Sequence, residues 1–237
     1  MLGEIQAMNA LAADMISNGD HQNAFELLSQ TVVKLSWCLL APNPIPDRRP
    51  GEQKPSVPRP HSPPIHGMSV YVEDAGARKE PSAHDGDFYF HPFILESGLF
   101  AEDDEASFSI TEEQHCIAVI TCLFNLGLCC HIKWSRQKNC SCLLSKALYY
   151  YDEAYSMTKN LWLCPTDPIM QAIMAVCNNA THCLSELSDL QQLKLWNDRL
   201  CHALCFISTR EKKRESFLFF QLNAFHNSLG RISAAAA

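Results

Sequence analysis

The sequence lacks the short motifs with which many enzymes bind phosphate or build a nucleophile. It has no glycine-rich phosphate loop, no Gly-x-Ser-x-Gly turn and no Rossmann fingerprint. A His-Glu-x-x-His helix motif and paired Cys-x2-Cys knuckles, which bind zinc, are missing as well. These absences predict that the protein is not an enzyme and that it uses no cofactor and no resident metal ion.

An excess of basic charge is also missing, because 19 Lys and Arg residues face 26 Asp and Glu residues and the net charge is -7. Proteins that bind nucleic acid without sequence preference usually carry a basic face, so we expect no nucleic-acid partner. A signal peptide would need a basic start and an unbroken apolar core at the N-terminus, and Glu4 and Asp14 interrupt this stretch. The longest apolar stretch, residues 116–132, is shorter than the about 20 residues of a membrane span. We therefore predict no membrane partner and an intracellular, cytoplasmic location.

Cysteine, in contrast, is abundant, with twelve residues. Most lie inside apolar helical runs, and free thiols in such places behave as small buried hydrophobes. The main alternative uses Cys201 and Cys205, one helical turn apart, with His202 or with Cys140 and Cys142. A cysteine-rich protein that binds metal or senses redox state is therefore the alternative functional prediction.

Apolar residues recur at helical spacing outside residues 41–110, and this pattern predicts about seven helices. Asn18 and Gly19 are typical of a helix end, and Asp20 of a following helix start. Ser188 with Gln191 three residues later predicts another helix start. The expected helices cover residues 2–16, 20–40, 111–134, 140–159, 167–187, 188–208 and 211–229, with Gly230 as the last stop and a disordered tail at 231–237.

Residues 41–110 have a different character. Nine prolines fall between Pro42 and Pro64, which predicts a linker over residues 41–67. Residues 68–72 and 88–95 are rich in β-branched and aromatic side chains and can pair as a β-hairpin, followed by an acidic connection to residue 110. An isolated hairpin is marginal in water, so we expect this insertion at 68–110 to pack on the helices or on a second copy of the chain.

Small and large residues alternate along the helix pairs in a repeated order. In the middle pair, 20 positions separate the small residues Gly127 and Ala147, whereas 12 separate Ala12 and Ala24 in the first. The third pair, after residue 167, follows the pattern more weakly. The predicted packing residues of the two clearer pairs are Leu11, Ala12, Ala24, Leu28, Leu126, Gly127, Ala147 and Tyr151.

These pairs resemble degenerate tetratricopeptide repeats (TPR), which combine a Leu-Gly or Leu-Ala step with a later Ala-x3-aromatic step. The resemblance implies an all-α, right-handed solenoid of antiparallel helix pairs with a final capping helix. It also implies a concave face, formed by the first helices, that binds a peptide or helix of another protein. The expected function is a protein-protein interaction scaffold, with a homodimer through the insertion as a further possibility.

Asn125 and Asn179 occupy the positions of the resemblance that face such a peptide. An asparagine amide donates and accepts together, so each could pair with the backbone of an extended peptide; the alternative is an interhelical hydrogen bond or a solvated side chain. Tyr150, Lys133 and His131 complete the predicted partner-binding residues.

Overall fold

The computed structural model describes residues 2–40, 70–72, 88–95, 112–137, 140–158, 167–206 and 215–235. The predicted linker at 41–67, the acidic connection before residue 110 and residues 236–237 lie outside these ranges. Within them the chain is mostly helical and all-α in class, with two short strands. The elements are α1 Leu2–Ser17, α2 His21–Leu40, β1 Val70–Val72, β2 Phe93–Leu95, α3 Glu112–Gln137, α4 Ser141–Met157, α5 Asp167–Glu186, α6 Leu190–Cys205 and α7 Glu215–Ala235.

Each helix packs on the next one along the chain. In addition, α1 contacts α3, α3 contacts α5, and α5 contacts α7, so that the odd-numbered helices are neighbours in that order. Strand β2 lies against α1 and α3 and pairs antiparallel with β1, with Val70 opposite Leu95 and Val72 opposite Phe93. Residues far apart in sequence, from α1 to α7, thus share one continuous hydrophobic core.

The turn between α1 and α2 explains why these helices form a tight pair. The Gly19 N–H donates to the Ile16 carbonyl at 3.0 Å and the Asp20 N–H to the Met15 carbonyl at 2.8 Å. This is the Schellman arrangement, and Gly19 takes its left-handed position with φ of 87°. Asp20 then caps α2 through its side chain, which accepts from the Asn23 N–H at 3.4 Å. The predicted helix end and start are confirmed here.

The same turn recurs between α5 and α6, shifted by one residue from the prediction. The Asp189 N–H donates to the Leu184 carbonyl at 3.0 Å, and Ser188 occupies the left-handed position with φ of 59°. Asp189, not Ser188, caps α6 by accepting from the Gln192 N–H at 3.0 Å. The predicted cap at Ser188 is therefore wrong, because the Schellman turn uses that residue to reverse the chain.

Replacing Ser188 by glycine should stabilise the protein. A non-glycine residue in the left-handed region has a cost that glycine avoids, so we expect Ser188→Gly to raise the free energy of unfolding by about 0.5–1 kcal/mol. Urea unfolding of the two proteins measures this difference. Gly19→Ala is the converse control and should lower stability, and a Ser188→Gly protein less stable than the wild type would contradict the assignment of this turn.

Helix α3 is the longest helix described. Its 26 residues accommodate most of the extra length predicted for the middle pair by extending the helix to Gln137. By length and composition its residues Gln114–Gln137 could cross a membrane, which corrects the expectation that this stretch is too short, but 89% of its most apolar window is buried inside the protein. An apolar helix surrounded by other helices has the composition that a core position requires.

Helix α7 extends beyond its predicted end. It packs through Phe217, Phe220 and Ala224, whereas Leu218, Leu222 and Phe225 form an exposed apolar row. It continues through Gly230 to Ala235, so the predicted stop and most of the predicted disordered tail are wrong. Glycine ends a helix where a left-handed residue is needed, and the alanines that follow favour the helix.

Seven of the eight predicted packing residues are buried: Ala12, Ala24, Leu28, Leu126, Gly127, Ala147 and Tyr151. Leu11 is the exception, with half of its surface exposed. The buried face of α1 passes through Ile5, Asn9, Ala12 and Ile16, so Leu11 lies about 130° away from its centre. The packing role predicted for Leu11 is therefore wrong.

Candidate functional site

Residues 88–95 run as an extended segment across α1, α3 and α5. We call the surface formed by these helices around Asn9, Asn125 and Asn179 the asparagine face. Four side chains of the segment are almost completely buried on it: Phe88, Tyr89, Phe93 and Leu95. The backbone of the segment is held by the three asparagines, one from each helix.

Asn125 of α3 binds both polar groups of one residue. The Phe93 N–H donates to Asn125 Oδ1 at 3.0 Å, and Asn125 Nδ2 donates to the Phe93 carbonyl at 2.8 Å. Both residues are fully buried, so neither group can exchange its partner for water. The Asn125 amide therefore binds the main chain of Phe93 and makes no hydrogen bond to the Phe93 side chain.

Asn179 of α5 does the same to Tyr89. It accepts from the Tyr89 N–H at 2.7 Å and donates to the Tyr89 carbonyl at 2.7 Å. Its second N–H donates to the Tyr151 hydroxyl at 3.2 Å, and its oxygen also accepts from Asn178 Nδ2 at 3.3 Å. All four hydrogen-bonding positions of the Asn179 amide are therefore used, which fixes its orientation.

Asn9 of α1 holds the far end of the segment, where its Oδ1 accepts from the Leu95 N–H at 3.0 Å. Successive residues of a strand direct their backbone groups to opposite sides. Phe93 and Leu95 therefore face the helices, and Ile94 between them faces β1, where it lies opposite Tyr71. The segment is held from one side by side-chain amides and from the other by a strand.

Aromatic rings form the floor beneath the segment. The Phe93 ring centre lies 4.7 Å from that of Phe124, and the Tyr89 ring centre lies 5.2 Å from that of Phe220. The ring of Tyr151 continues this floor, 5.8 Å from Phe124. Burial of one such side chain contributes about 1.5–3 kcal/mol, so apolar contacts and the amide hydrogen bonds act together on the same residues.

A chain of hydrogen bonds connects Asn179 to two histidines. The Tyr151 hydroxyl lies 3.3 Å from His131 Nδ1, and His131 Nε2 lies 2.9 Å from His182 Nδ1. With both imidazoles neutral, each group can donate once along the chain: Asn179 to Tyr151, Tyr151 to His131, and His131 to His182. The Phe88 ring stacks on His131 with centres 3.9 Å apart, which closes this polar chain from above.

Protonation of His182 would disrupt this chain, because both of its ring nitrogens would then carry a hydrogen. The His182 Nδ1–H would point at the Nε2–H of His131, and the hydrogen bond between them would be lost. Burial holds the pKa of His131 well below its usual value of 6.5, with a smaller contribution from the charge of His182. Burial, followed by the charge of Arg136, lowers the pKa of His21 to about 4. In the folded protein the lowered pKa values favour the neutral forms of His131 and His21.

We expect the protein to lose stability as the pH falls below 6.5. A histidine with a lowered pKa binds its proton more readily in the unfolded chain, so its contribution is complete above pH 6.5 and decreases below it. For His131 this loss is expected as the pH falls from 7 to 5, because burial lowers its pKa in the folded protein only. Denaturant unfolding at both pH values measures the loss. His131→Gln should reduce the pH dependence and His226→Gln, at an exposed site, should retain it; equal pH dependence in both variants would contradict the account.

The predicted partner-binding residues separate into two groups. Asn125, Asn179 and His131 contact the 88–95 segment. Tyr150 instead packs edge-on against Phe25 of α2 at 5.9 Å, and Lys133 lies 3.5 Å from Gln22 Oε1, also of α2. The structure therefore places Tyr150 and Lys133 between helices of neighbouring pairs and gives them no described contact with the segment.

The sequence did not identify Asn9 as a binding residue. Its helical spacing from the buried Ile5, Ala12 and Ile16 was available as a signal, because a polar residue in a buried stripe needs a hydrogen-bond partner. The sequence predicted that the insertion packs on the helices or on a second copy of the chain, but it did not identify which of its residues contact the asparagines. The aromatic run in residues 88–95 indicated a strand, but its position across three helices follows only from the tertiary packing.

The cysteines divide into three classes. Six free thiols among the described residues are buried, and burial raises the pKa of Cys122 to about 12 and that of Cys130 to about 11, which keeps these thiols protonated and unreactive. Cys201 and Cys205 are exposed and form no disulfide among the described residues. Cys140 and Cys142 form a disulfide at the start of α4, so the expectation that the cysteines serve as free core residues is wrong for this pair. Among the residues that the structure describes, no three His, Cys, Asp or Glu side chains are placed to hold a metal ion.

Comparison with known proteins found no match for this chain among protein-family models, curated proteins or solved structures.

Proposed function

We propose that this protein is a non-enzymatic interaction scaffold whose helices form a short TPR-like solenoid and bind an extended segment of a partner protein. The observation that carries the proposal is the pair of two-point contacts from Asn125 to Phe93 and from Asn179 to Tyr89. An amide that binds both the N–H and the C=O of one residue recognises an extended backbone. Such contacts transfer to any segment with suitable side chains.

The helix packing supports the solenoid part of the proposal. Each helix packs on its neighbour in sequence, and α1, α3, α5 and α7 contact one another in order, as stacked helix pairs would. The Schellman turn at Gly19 connects the two helices of the first pair, and the one at Ser188 connects the two helices of the third pair in the same way. The partner is another protein, with an intracellular setting, and we propose no nucleic-acid or membrane partner for the asparagine face.

Affinity capture with matched variants tests the proposal. The full chain, its Asn125→Leu/Asn179→Leu variant and the exposed control Gln221→Leu would be used as baits after circular dichroism has shown equal helix content. We expect a set of proteins bound by the wild type and the control at least about tenfold more than by the double variant, as loss of two buried hydrogen-bonded contacts implies. A bound set that does not depend on the two asparagines would contradict the proposal.

The disulfide favours redox sensing as a second candidate function. Cys140 and Cys142 are separated by one residue, and Cys142 is exposed at the first turn of α4, where a dithiol reductant can reach it. Reduction and alkylation under native conditions, followed by mass spectrometry, would show whether the pair changes state reversibly. Binding to the asparagine face that is equal for oxidised and reduced protein would remove this candidate as a regulator of the scaffold.

A further inference from the structure

The 88–95 segment occupies the asparagine face through a defined set of positions. Four of its side chains are at most 4% exposed, whereas Phe90 is 36% exposed and His91, Pro92 and Ile94 are intermediate. The buried positions are two adjacent aromatic residues, an aromatic residue four positions after the second, and an aliphatic residue two positions further. These positions, together with the three asparagines, describe what an occupant of this face requires.

We propose that residues 88–95 are an exchangeable internal competitor, and that the partner is an extended segment of another protein with the same pattern of aromatic and aliphatic residues. This inference rests on the proposed function. The five hydrogen bonds between the three asparagines and the segment all involve its main chain, so a second segment with the four anchor side chains can make the same bonds.

Covalent attachment favours the internal occupant over a free one. The segment belongs to the same chain as the helices and is joined to α3 by residues 96–111. A binding group tethered by a short connection acts at an effective concentration on the order of 1 mM. A free peptide of equal intrinsic affinity therefore binds weakly until the internal copy is weakened or the partner offers better anchors.

The partner segment should also be uncharged at the anchor positions. Phe88 lies against the neutral His131, and Tyr89 and Phe93 lie against Phe220 and Phe124. A charged side chain at any of these positions would be buried without a counter-charge, which strongly disfavours binding. The exposed position of Phe90, in contrast, can accept any side chain.

The test uses a fluorescent synthetic peptide with the sequence of residues 87–96 and measures its binding by anisotropy. The proteins are the full wild-type chain, Phe93→Ala, which weakens the internal copy, and Phe93→Ala/Asn125→Leu. We expect the peptide to bind Phe93→Ala at least about tenfold more tightly than the wild type, because the competitor is weakened. The added Asn125→Leu should abolish this gain, and a peptide with alanine at its four anchor positions should not bind.

The outcomes separate the inference from the function on which it rests. Equal affinity for wild type and Phe93→Ala overturns the competitor and leaves the scaffold in place. Binding to neither protein, with both folded by circular dichroism, overturns both. A wild-type chain that runs as a dimer and becomes a monomer on Phe93→Ala identifies a second copy as the occupant and overturns a separate partner.

A displacement measurement covers the case in which Phe93→Ala fails to fold. Excess unlabelled peptide, made distinguishable by heavy isotopes, is added to the wild-type chain, and hydrogen exchange is followed by mass spectrometry. We expect the internal residues 88–95 to lose protection while α6 retains it. Unchanged protection of residues 88–95 at peptide concentrations of several mM would overturn the exchange.

Discussion

Asn125→Leu should lower the free energy of unfolding by about 3 kcal/mol. The substitution leaves the buried N–H and C=O of Phe93 without their partners, and each unsatisfied backbone group costs about 1–3 kcal/mol. Leucine has the same number and branching of side-chain heavy atoms as asparagine and leaves no cavity, so the loss mainly reports the hydrogen bonds. Denaturant unfolding followed by circular dichroism measures the change.

Two variants control for effects other than the hydrogen bonds of Asn125. Gln221→Leu places the same residue on the exposed face of α7 and should change stability by less than about 0.5 kcal/mol. Asn125→Asp keeps an acceptor for the Phe93 N–H but opposes an oxygen to the Phe93 carbonyl, so it should be as destabilising as leucine. An Asn125→Leu protein as stable as the Gln221→Leu control would show that the face does not hold the segment through this amide.

Gly127→Ala should destabilise the protein by up to about 2 kcal/mol after the gain in helix propensity is subtracted. A Cβ at this position would lie 2.6 Å from Cε1 and 2.9 Å from Cδ1 of Tyr151, whose ring is completely buried. Overpacking of this kind costs about 1–3 kcal/mol and exceeds the gain of up to about 1 kcal/mol that alanine brings to a helix. Movement of the ring would also disturb the bond from Asn179 to the Tyr151 hydroxyl.

Gly3→Ala provides the matched control for this effect. Gly3 is also helical, and nothing lies within 4 Å of the position that its Cβ would take. Alanine there should leave stability unchanged or raise it slightly, because only helix propensity changes. Thermal unfolding of the two variants compares the signs directly, and a stabilised Gly127→Ala protein would contradict the close approach of α3 and α4.

The sequence predicted the helical elements well, because their signals are local. The end of α1 at Gly19 and the cap of α2 at Asp20 depend on residues within one turn of each other. The cap of α6 was placed one residue early because Ser188–Gln191 and Asp189–Gln192 have the same spacing. Only the left-handed backbone of Ser188 distinguishes the two possible caps, and the residue types do not predict this conformation.

The buried face of α1 was misplaced for a different reason. Gln6 and Asn9 are buried polar residues, so a pattern based on hydrophobicity assigns them to the solvent side. Leu11 was assigned to the core by the same pattern. Buried polar residues on the asparagine face therefore make the position of this face hard to predict from the sequence.

The candidate site was predictable only in part. The family resemblance placed Asn125 and Asn179 where an extended backbone would bind, and both contact such a backbone in the structure. The residue-by-residue contacts of the insertion were not predictable, because the contact from Tyr89 to Asn179 spans 90 residues of sequence. Its formation depends on the packing of α1, α3 and α5 together.

Hydrogen exchange of residues 88–95 tests the central claim most directly. If the segment lies on the asparagine face, its amides should exchange about 100-fold or more slowly than in an unstructured peptide, which corresponds to about 2.7 kcal/mol of protection. The Asn125→Leu/Asn179→Leu variant should lose this protection while α6 keeps its own. Exchange of residues 88–95 at the unstructured rate in the wild type, with α3 and α5 protected, would contradict the account.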